Sequence, residues 1–285
     1  MTTTSVSPSP SISIEQMKEI ARNMRIDIIK MIGAAGSGHP GGSLSEVELM
    51  VALYFKVMRH DPKRPKWDGR DRFILSKGHG CATLYSVLAE TGYIDHALLP
   101  TFRKLGSPLQ GHPDKRFLPI LEASTGSLGQ GLSIGIGVAL AGKLNKADFH
   151  TFVMTGDGEI QEGQNWEAAM FAPYHKLNNL TLIIDNNKQQ LDDFTAKILD
   201  ISPVGDKFRA FNWNVIEIDG HDYNQVIPAL EKARNNSTDH PTCIVANTIK
   251  GKGVSFMEGK VKWHGVAPKP DEVAAAVKEL EATKI

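Results

Sequence analysis

Cysteine is scarce in this sequence, and several familiar catalytic motifs are missing from it. Only Cys81 and Cys243 occur among the 285 residues, far apart, so no disulfide framework is expected and both thiols are predicted to be buried. No C-x-x-C, no H-E-x-x-H and no close histidine pair occurs, which argues against a zinc site. The phosphate-binding motif G-x-x-x-x-G-K-[ST] and the nucleophile motif G-x-S-x-G are also absent, which argues against the enzyme classes that depend on them.

An excess of one charge sign and a long apolar run are lacking as well. The 32 basic and 32 acidic residues balance to a formal net charge of zero, so no nucleic-acid partner is expected. No apolar run approaches the length of a membrane span, and the first residues lack the basic-then-apolar pattern of a secretory signal. The composition, 41% hydrophobic and 22% charged, is typical of a soluble globular protein, so a cytoplasmic location is expected.

Segments of strand and helix character alternate along the chain, which predicts a doubly wound, mostly parallel sheet with helices on both faces. Residues 1–12 are rich in Ser, Thr and Pro and are predicted to form a disordered tail, whereas 13–285 are predicted to form one domain. Ser13 and Gln16 suit a capping box at the start of the first helix. The predicted strands are 72–76, 150–155, 180–185, 214–219 and 242–247, and the longer predicted helices are 14–35, 132–144, 223–234 and 272–281.

Two polar residues follow two of the predicted strands and point to a metal site. Gly156-Asp157-Gly158 ends the strand at 150–155, and Asn187 follows the strand at 180–185. Because ligands bind at the carboxyl ends of strands in open α/β sheets, we expect Asp157 and Asn187 to lie close together. Their oxygens, with the carbonyl of Gln189 as a third ligand, suit Mg²⁺, which takes its remaining ligands from phosphate and water. An isolated GDG is also a common turn, so the pairing with Asn187 gives the motif its weight.

Five of the ten histidines stand beside glycine: His39, His79, His112, His221 and His264. Imidazoles in glycine-rich loops at strand and helix ends are poorly placed for a core, and histidine is suited to proton transfer near neutral pH. Together these residues predict a pocket lined with imidazoles. The other five histidines are interpreted as surface or structural residues.

Three further features have an ordinary explanation beside a functional one. Glu162 and Glu167 begin the helix after the GDG motif, where acids stabilise a helix N-terminus, although Glu162 could also face inward across an interface. Lys250 and Lys252 could neutralise phosphate, but a solvated basic loop is the favoured interpretation for both. The small residues of the helix at 132–144 predict close packing by another backbone, as at a subunit interface.

The glycine-rich motifs, taken together, closely resemble the N-terminal, diphosphate-binding domain of transketolases. They are SGHPGG (37–42), LSKGHG (75–80), QGHPD (110–114), STGSLGQG (124–131), GDGEIQEGQNWEA (156–168) and WHG (263–265), and GDG is followed about thirty residues later by Asn186-Asn187. The resemblance covers nearly everything after the tail. It implies the thiamine-diphosphate-binding fold, with thiamine diphosphate and Mg²⁺, Ca²⁺ or Mn²⁺ as cofactors.

The resemblance also implies roles for individual residues. Asp157, Asn187 and the Gln189 carbonyl would bind the metal, and His39, His79, His112 and His264 would face the reacting carbon and the sugar hydroxyls. Glu162 is similar to the acid that links the two active sites across the family's dimer. The residues implied in cofactor binding are His79, Gly126, Ser127, Leu128, Gly156, Asp157, Gly158, Glu159, Glu162, Asn187, Leu191 and His264.

The implied reaction is transfer of a two-carbon ketol unit from a ketose phosphate to an aldose phosphate, as in the pentose phosphate pathway. The sequence ends about where a full-length transketolase enters its second domain, so the resemblance implies a C-terminal partner subunit with the pyrimidine-binding and C-terminal domains, and an α₂β₂ assembly. A deoxyxylulose-phosphate synthase, a 2-oxo acid dehydrogenase α subunit and a non-catalytic cofactor-binding module remain as alternatives. SGHPGG and QGHPD favour a transketolase over the two enzymes.

Overall fold

The computed structural model describes residues 12–283, and these contain a five-stranded parallel sheet. The strands, numbered along the chain, are β1 (Arg72–Leu75), β2 (Thr151–Gly156), β3 (Leu180–Asn186), β4 (Asn214–Asp219) and β5 (Thr242–Asn247). Their order across the sheet is β1-β2-β3-β5-β4, and each neighbouring pair is parallel. The predicted strands are confirmed to within one residue at each end. The predicted tail, except for Ile12, lies outside the described residues.

Ten α-helices lie within residues 12–283. They are α1 (Ile14–Ala35), α2 (Pro40–Ser45), α3 (Val47–Ala52), α4 (Cys81–Glu90), α5 (Gln130–Leu144), α6 (Gly163–Tyr174), α7 (Thr195–Ile198), α8 (Val204–Ala210), α9 (Tyr223–Arg234) and α10 (Pro270–Ala282). Short 3₁₀ turns occur at Gly78–Gly80, His96–Thr101, Gly158–Gln161 and Val261–His264, and a π-helical turn at Leu53–Val57. None of the helices in this part of the chain has the length and apolar character needed to cross a membrane.

The first helix begins where the capping residues predict. The backbone N–H of Gln16 donates to Ser13 Oγ at 3.2 Å, and the Ser13 N–H donates to the Gln16 side-chain oxygen at 2.8 Å. Two N–H groups that the helix itself leaves unpaired are thereby satisfied. The helix ends at Gly36, whose φ of 62° lies in the left-handed region that glycine adopts without strain.

Side chains of the strands alternate between two hydrophobic cores because successive residues of a strand point to opposite faces of the sheet. In β2, Phe152 and Met154 enter the core formed with α1, α3, α4 and α9, whereas Val153 enters the opposite core with α5, α6 and α8. Leu182 and Ile184 of β3 lie in this second core as well. Helices therefore cover both faces, and the loops at the carboxyl ends of the strands are left to form a site.

Most of the glycines of α5 are needed for packing inside the chain. A Cβ on Gly135 would lie 2.2 Å from Val153 Cγ2 of β2, and a Cβ on Gly131 would lie 2.4 Å from Ser76. Gly142 is similarly close to the ring of Phe149. The predicted close approach is therefore found, but at these positions the neighbour belongs to the same chain. Gly137 is exposed, and a Cβ there would meet no atom of residues 12–283 within 4 Å.

Substitution of Gly135 and Gly137 by alanine is expected to have opposite effects on stability. Gly135→Ala forces a methyl group into Val153 and should lower the free energy of unfolding by about 1–3 kcal/mol, the usual cost of overpacking. Gly137→Ala adds a methyl group in open space and should raise it by roughly 0.5–1 kcal/mol because alanine restricts the unfolded chain. Urea denaturation of the two variants measures the difference, and equal effects would contradict this packing.

Candidate active site

The parallel register brings the two predicted metal-binding residues to one edge of the sheet. Gly156 of β2 lies opposite Asp185 of β3, so Asp157 and Asn187 follow neighbouring strand ends. The Asp157 N–H donates to the Asp185 carbonyl at 3.2 Å, which ties the two loops together. The position expected from the strand ends is therefore the position found.

The oxygens at this edge form a set suited to a hard cation. Asp157 is 1% exposed, and its Oδ1 has no hydrogen-bond partner among the described residues. Asn187 Oδ1 accepts from the Gln189 N–H at 3.1 Å, and the Gln189 carbonyl lies 3.5 Å from Lys250 Nζ. An unpaired carboxylate oxygen buried beside amide and carbonyl oxygens is costly unless a cation binds there. These residues therefore fit a magnesium ion.

Burial and a neighbouring acid set the protonation of Asp157. Desolvation, followed by repulsion from the Asp185 carboxylate, raises the pKa of Asp157 to about 7. Asp185 itself remains ionised, because the Lys77 ammonium outweighs the effect of burial and lowers the pKa of this carboxyl group. A cation would relieve the repulsion and displace the proton from Asp157.

A cavity of about 230 Å³ opens above these oxygens and joins most of the predicted site residues. Its wall is formed by the loops after β1, β2, β3 and β5 and by the WHG segment. The lining residues are Lys77, His79, Leu128, Gly156, Asp157, Gly158, Glu159, Gln161, Glu162, Asn187, Gln189, Gln190, Leu191, Lys250 and His264.

Four of the five glycine-flanked histidines form one cluster. The ring centroid of His39 lies 5.4 Å from that of His79, 5.9 Å from His112 and 5.7 Å from His264. His79 and His264 stack at 5.2 Å. Two of the four, His79 and His264, line the cavity, whereas His221 lies outside the cluster and contacts Glu48 and Ile249 instead.

The clustered imidazoles are held neutral. Burial, followed by the charge of Arg103, lowers the pKa of His39 to about 4. Burial and Lys250 lower the pKa of His264 to about 3, and burial lowers the pKa of His79 well below its ordinary value. Burial and Arg103 also lower the pKa of His112, which completes the set. Neutral imidazoles can accept as well as donate a proton or hydrogen bond near pH 7.

Arg103 is a site residue that sequence reasoning missed. Its Nη2 lies 3.4 Å from His39 Nδ1 and donates to the Gly111 carbonyl at 3.0 Å, and its Nη1 donates to Ser37 at 2.9 Å. It therefore joins the SGHPGG and QGHPD loops. No local pattern around Arg103 indicates this, because its partners are 8 and more than 60 residues away.

Two buried lysines flank the cavity, and the solvated loop predicted for Lys250 is wrong. Lys250 is 2% exposed, and its Nζ donates to His264 Nδ1 at 2.7 Å and to the Gln190 carbonyl at 3.2 Å. Burial, followed by repulsion from Lys77, lowers the pKa of Lys250 to about 8. The glycines around Lys250 suggested an exposed loop, but folding turns the side chain inward.

Lys77 lines the cavity and is fully buried between the acidic side chains of Asp185 and Glu46. Its ammonium pairs with Asp185 and lies 3.0 Å from Glu46, and it donates to the Gly42 carbonyl at 2.7 Å. Burial raises the pKa of Glu46 to about 8 despite the lysine, so near pH 7 this trio contains one cation, one anion and one neutral acid. Position after a strand end, the rule that found Asp157, would also have found Lys77.

Asp185 joins four segments beneath the site. It accepts from Ser45 Oγ at 2.6 Å, from Asn187 Nδ2 at 3.1 Å, and from Lys77 and Thr248. Because the Asn187 amide nitrogen is bound to Asp185, its oxygen is left to accept from the Gln189 N–H on the side where the metal is predicted.

Glu159 occupies the cavity wall but directs its carboxylate into the protein. It accepts from Ser76 Oγ, from the Gly129 N–H at 3.0 Å and from the Gly156 N–H at 3.1 Å. These contacts tie three loops of the site together. Direct contact of Glu159 with a cofactor remains a prediction.

The remaining predicted residues lie at or near the mouth of the cavity. Leu128 is 37% exposed and Leu191 is 61% exposed, while Glu162 is exposed at the start of α6. Gly126 has a φ of 136° and packs against His112, where a Cβ would lie 3.0 Å from the imidazole, and Ser127 follows it on the surface. Leu128 and Leu191 therefore expose apolar surface beside the cavity.

Comparison with known proteins identifies this arrangement. Residues 16–283 match the family described as "Transketolase, thiamine diphosphate binding domain". The chain belongs to the transketolase family. The predicted family and the predicted thiamine-diphosphate-binding fold are thereby confirmed.

Among the relatives of this transketolase chain are two separate subunits of similar length. One of them, from the apulose-4-phosphate transketolase of Actinobacillus succinogenes, is 42% identical, with 95% of this chain and 98% of the relative covered. The other, from the 6-deoxy-6-sulfo-D-fructose transketolase of Clostridium sp., is 43% identical, with 95% and 97% covered. The chain thus corresponds to the N-terminal subunit of a divided transketolase.

Single-chain transketolases match over less than half of their length. Human transketolase is 38% identical, with 93% of this chain but 42% of the human protein covered. The crystal structure of transketolase from Campylobacter jejuni superposes with a TM-score of 0.89 at 34% identity, covering 95% of this chain and 43% of that one.

Proposed function

We propose that this transketolase subunit binds Mg²⁺ and thiamine diphosphate at the carboxyl edge of its sheet and transfers a two-carbon ketol unit together with a partner subunit. The observation that carries the proposal is Asp157 Oδ1, a buried carboxylate oxygen that has no partner among the described residues and lies at the foot of an imidazole-lined cavity. We assign the cofactor-binding domain to residues 13–285.

Three oxygen donors would hold the metal, which Ca²⁺ or Mn²⁺ could replace. They are the Asp157 carboxylate, the Asn187 amide oxygen and the Gln189 carbonyl. A cation here would neutralise the pair of carboxylates formed by Asp157 and Asp185, and diphosphate and water would complete its coordination.

The diphosphate would lie against the loops after β1, β2 and β5. His79, His264 and the backbone of Gly156 and Gly158 line this part of the cavity, and Lys250 adds a buried ammonium. Gly158 supports the role because a Cβ would lie 2.9 Å from Gln190 Cβ, so the two loops approach too closely for a larger residue. Gly126, Ser127, Leu128 and Leu191 would face the organic rings of the cofactor from the mouth.

When bound, thiamine diphosphate supplies the carbanion chemistry needed to break and form carbon–carbon bonds. This chain's own contribution is to move protons and hold oxygens. The depressed pKa values of His39, His112 and His264 leave neutral imidazoles that can accept a proton from, or donate one to, substrate hydroxyl and carbonyl oxygens. Arg103 orients His39 through its Nδ1 atom.

Exposed apolar residues around the mouth support a partner that covers it. Besides Leu128 and Leu191 at the mouth, the segment that follows β3 contains Phe194, Ile198 and Leu199, which are 38%, 49% and 56% exposed. We assign this surface, and an interface role for Glu162, to contact with a subunit that carries the pyrimidine-binding and C-terminal domains. An α₂β₂ tetramer would bring two copies of each subunit together.

The reaction is expected only when both subunits are present. Because the cavity is open at the mouth, the chain alone should form no new sugar phosphates, and addition of the partner with thiamine diphosphate and Mg²⁺ should restore turnover. Donors to compare are xylulose 5-phosphate and fructose 6-phosphate, named with Pichia stipitis transketolase structures, and the apulose 4-phosphate and 6-deoxy-6-sulfofructose of the related subunits. Mass spectrometry of the products measures the transfer.

Two outcomes would contradict the proposal. Turnover by the chain alone would remove the requirement for a partner. A mixture that assembles and binds cofactor but transfers no ketol unit from any donor would favour a non-catalytic cofactor-binding module.

A cytoplasmic location and a role in the pentose phosphate pathway are part of the proposal. Cys81 and Cys243 are both free and buried, which is typical of proteins from a reducing compartment. The donor comparison decides between the pathway's sugars and more specialised ones.

A further inference from the structure

His221 is the glycine-flanked histidine that lies outside the imidazole cluster, and it is bonded on both ring nitrogens. It follows β4, and its Nδ1 lies 2.9 Å from Glu48 Oε2 of α3. Its Nε2 accepts the backbone N–H of Ile249 at 2.9 Å. Because a backbone N–H can only donate, Nε2 carries no proton, and Nδ1 must be the protonated nitrogen that donates to Glu48.

Arg25 of α1 makes the matching contacts on the other side of Glu48. Its Nη2 donates to both oxygens of that carboxylate, at 2.6 and 2.8 Å, and its Nε donates to the Lys252 carbonyl at 2.9 Å. Arg25 and Glu48 are both buried. Although burial opposes ionisation, Arg25 and His221 lower the pKa of Glu48 to about 2, so the carboxylate is fully charged near neutral pH.

These contacts fix the backbone on both sides of Lys250 in the sequence. His221 accepts the N–H of Ile249, the residue before Lys250, and Arg25 donates to the carbonyl of Lys252, two residues after it. The loop is also fixed by the Gly251 N–H, which donates to the Gly41 carbonyl at 3.0 Å. Gly253 has a φ of 93°, and a Cβ there would lie 2.7 Å from Arg25 Cδ. The backbone on both sides of Lys250 is thus fixed by these contacts, and the Lys250 side chain contacts His264.

We propose that Arg25, Glu48 and His221, hereafter the Glu48 clamp, position Lys250 in the cofactor cavity. Glu48 holds one cation and one neutral ring, and each of these fixes one side of the 249–252 loop. The three are positioning residues. They act on the cofactor cavity through the backbone of the 249–252 loop and do not contact the oxygens predicted to bind the metal. The role of the Lys250 ammonium toward a diphosphate rests on the proposed function, whereas the clamp itself does not.

A matched pair of variants tests the clamp in the full-length chain without cofactor. His221→Gln places an amide oxygen near the position of Nε2, so it can still accept the Ile249 N–H but gives up the hydrogen bond to Glu48. His221→Asn reaches only the position of Nδ1, so it loses the Ile249 contact instead. Acetylation of lysines, followed by peptide mass spectrometry, reports how exposed Lys250 becomes. Lys77, buried on another loop, reports general loosening of the fold.

His221→Asn is expected to raise the acetylation rate of Lys250 roughly fivefold to tenfold, the change in local opening when one hydrogen bond is lost. Lys77 should be unaffected, and His221→Gln, which keeps the Ile249 contact but loses the contact with Glu48, should raise the rate at Lys250 less than His221→Asn does. If the acetylation rates of Lys77 and Lys250 rise in parallel in His221→Asn, His221 only stabilises the fold, and the proposal is overturned. No change at Lys250 in His221→Asn would overturn it as well.

Cofactor affinity then separates the clamp from the proposed function. With Mg²⁺ and thiamine diphosphate added to the assembled enzyme, His221→Asn should weaken cofactor affinity about tenfold and His221→Gln less than that. If the wild-type assembly fails to bind the cofactor, the proposed function is wrong, while the acetylation result still decides the clamp. If the wild type binds and the two variants bind equally well, Lys250 is not positioned for the cofactor and that part of the inference fails.

Discussion

Asp157→Asn is expected to abolish metal-dependent cofactor binding and, at the same time, to stabilise the cofactor-free protein at pH 8. The substitution removes the charged oxygen that has no partner among the described residues, so affinity for Mg²⁺ and thiamine diphosphate should fall at least ~100-fold. It also removes a carboxylate that is buried beside Asp185. A neutral amide of the same shape avoids that repulsion.

The stability gain has a defined pH dependence. The pKa of Asp157 is raised from 3.8 to about 7, so between these values the folded protein keeps a proton that the unfolded chain has lost. Stability of the wild type should therefore fall as the pH rises from about 4 to about 7 and then level off. At about 1.4 kcal/mol per pKa unit, the full effect is on the order of 4 kcal/mol. Asp157→Asn should lack this dependence.

Metal affinity should show the opposite trend, because a proton competes with Mg²⁺ for the same oxygen. Below pH 7 the apparent affinity of the wild type should drop up to about tenfold per pH unit. Calorimetric titration with thiamine diphosphate and Mg²⁺, together with urea denaturation from pH 5 to 8, measures both effects. Asp192→Asn, an exposed carboxylate in the same segment, is the control. Normal cofactor affinity in Asp157→Asn would rule out Asp157 as a metal ligand.

Lys77→Met is expected to destabilise the protein by about 3–5 kcal/mol, the usual cost of removing one partner from a buried ion pair. Lys77 is fully buried and supplies the cation for Asp185 and Glu46. Methionine fills similar volume but leaves the Asp185 charge to be met by hydroxyl and amide donors alone. Because Asp185 also holds the Asn187 amide, cofactor affinity should fall as well.

Lys250→Met is the matched control for this experiment. Lys250 is also a buried lysine of the same cavity, but its hydrogen-bond acceptors are carbonyl groups and His264, and burial lowers its pKa to about 8. Its removal should leave the free energy of unfolding unchanged or raise it slightly. Urea denaturation at pH 7 compares the two variants. Equal losses would mean that burial of any lysine, rather than the ion pair, explains the effect.

The difference between these lysines also shows how far sequence reasoning can go. Both stand in glycine-rich segments of the type K-G-x-G, and nothing local distinguishes them. Lys77 meets the acidic side chains of Glu46 and Asp185, whereas Lys250 meets the carbonyls of the loop after β3. The charge state of each lysine and its contribution to the free energy of unfolding depend on those distant partners, so the sequence could assign neither. For the same reason the prediction of a solvated loop around Lys250 was wrong.

The five glycine-flanked histidines make the same point. Their local patterns are alike, yet four gather in one cluster and His221 faces a buried Glu–Arg pair. A glycine neighbour indicates only that a loop turns sharply or approaches another backbone closely. Which loops meet is decided by the tertiary fold: the loop after β4 carries His221 to Glu48, whereas the loop after β1, also an edge strand, carries His79 into the cluster.

The sequence by itself determined the strands and longer helices, the parallel sheet, and the position of Asp157 and Asn187 at its carboxyl edge. These depend on periodicity, capping and the rule that parallel strands end together, all of which are local or follow from chain order. Only the tertiary structure decided that Asp157 Oδ1 is left without a partner in the described chain and that Lys77 neutralises Asp185. It also decided that Arg103 and Lys250 enter the site and that the mouth remains open. The reason is physical: burial and long-range pairing set the charge and the hydrogen bonds of a side chain, and both depend on residues that are far away in the sequence.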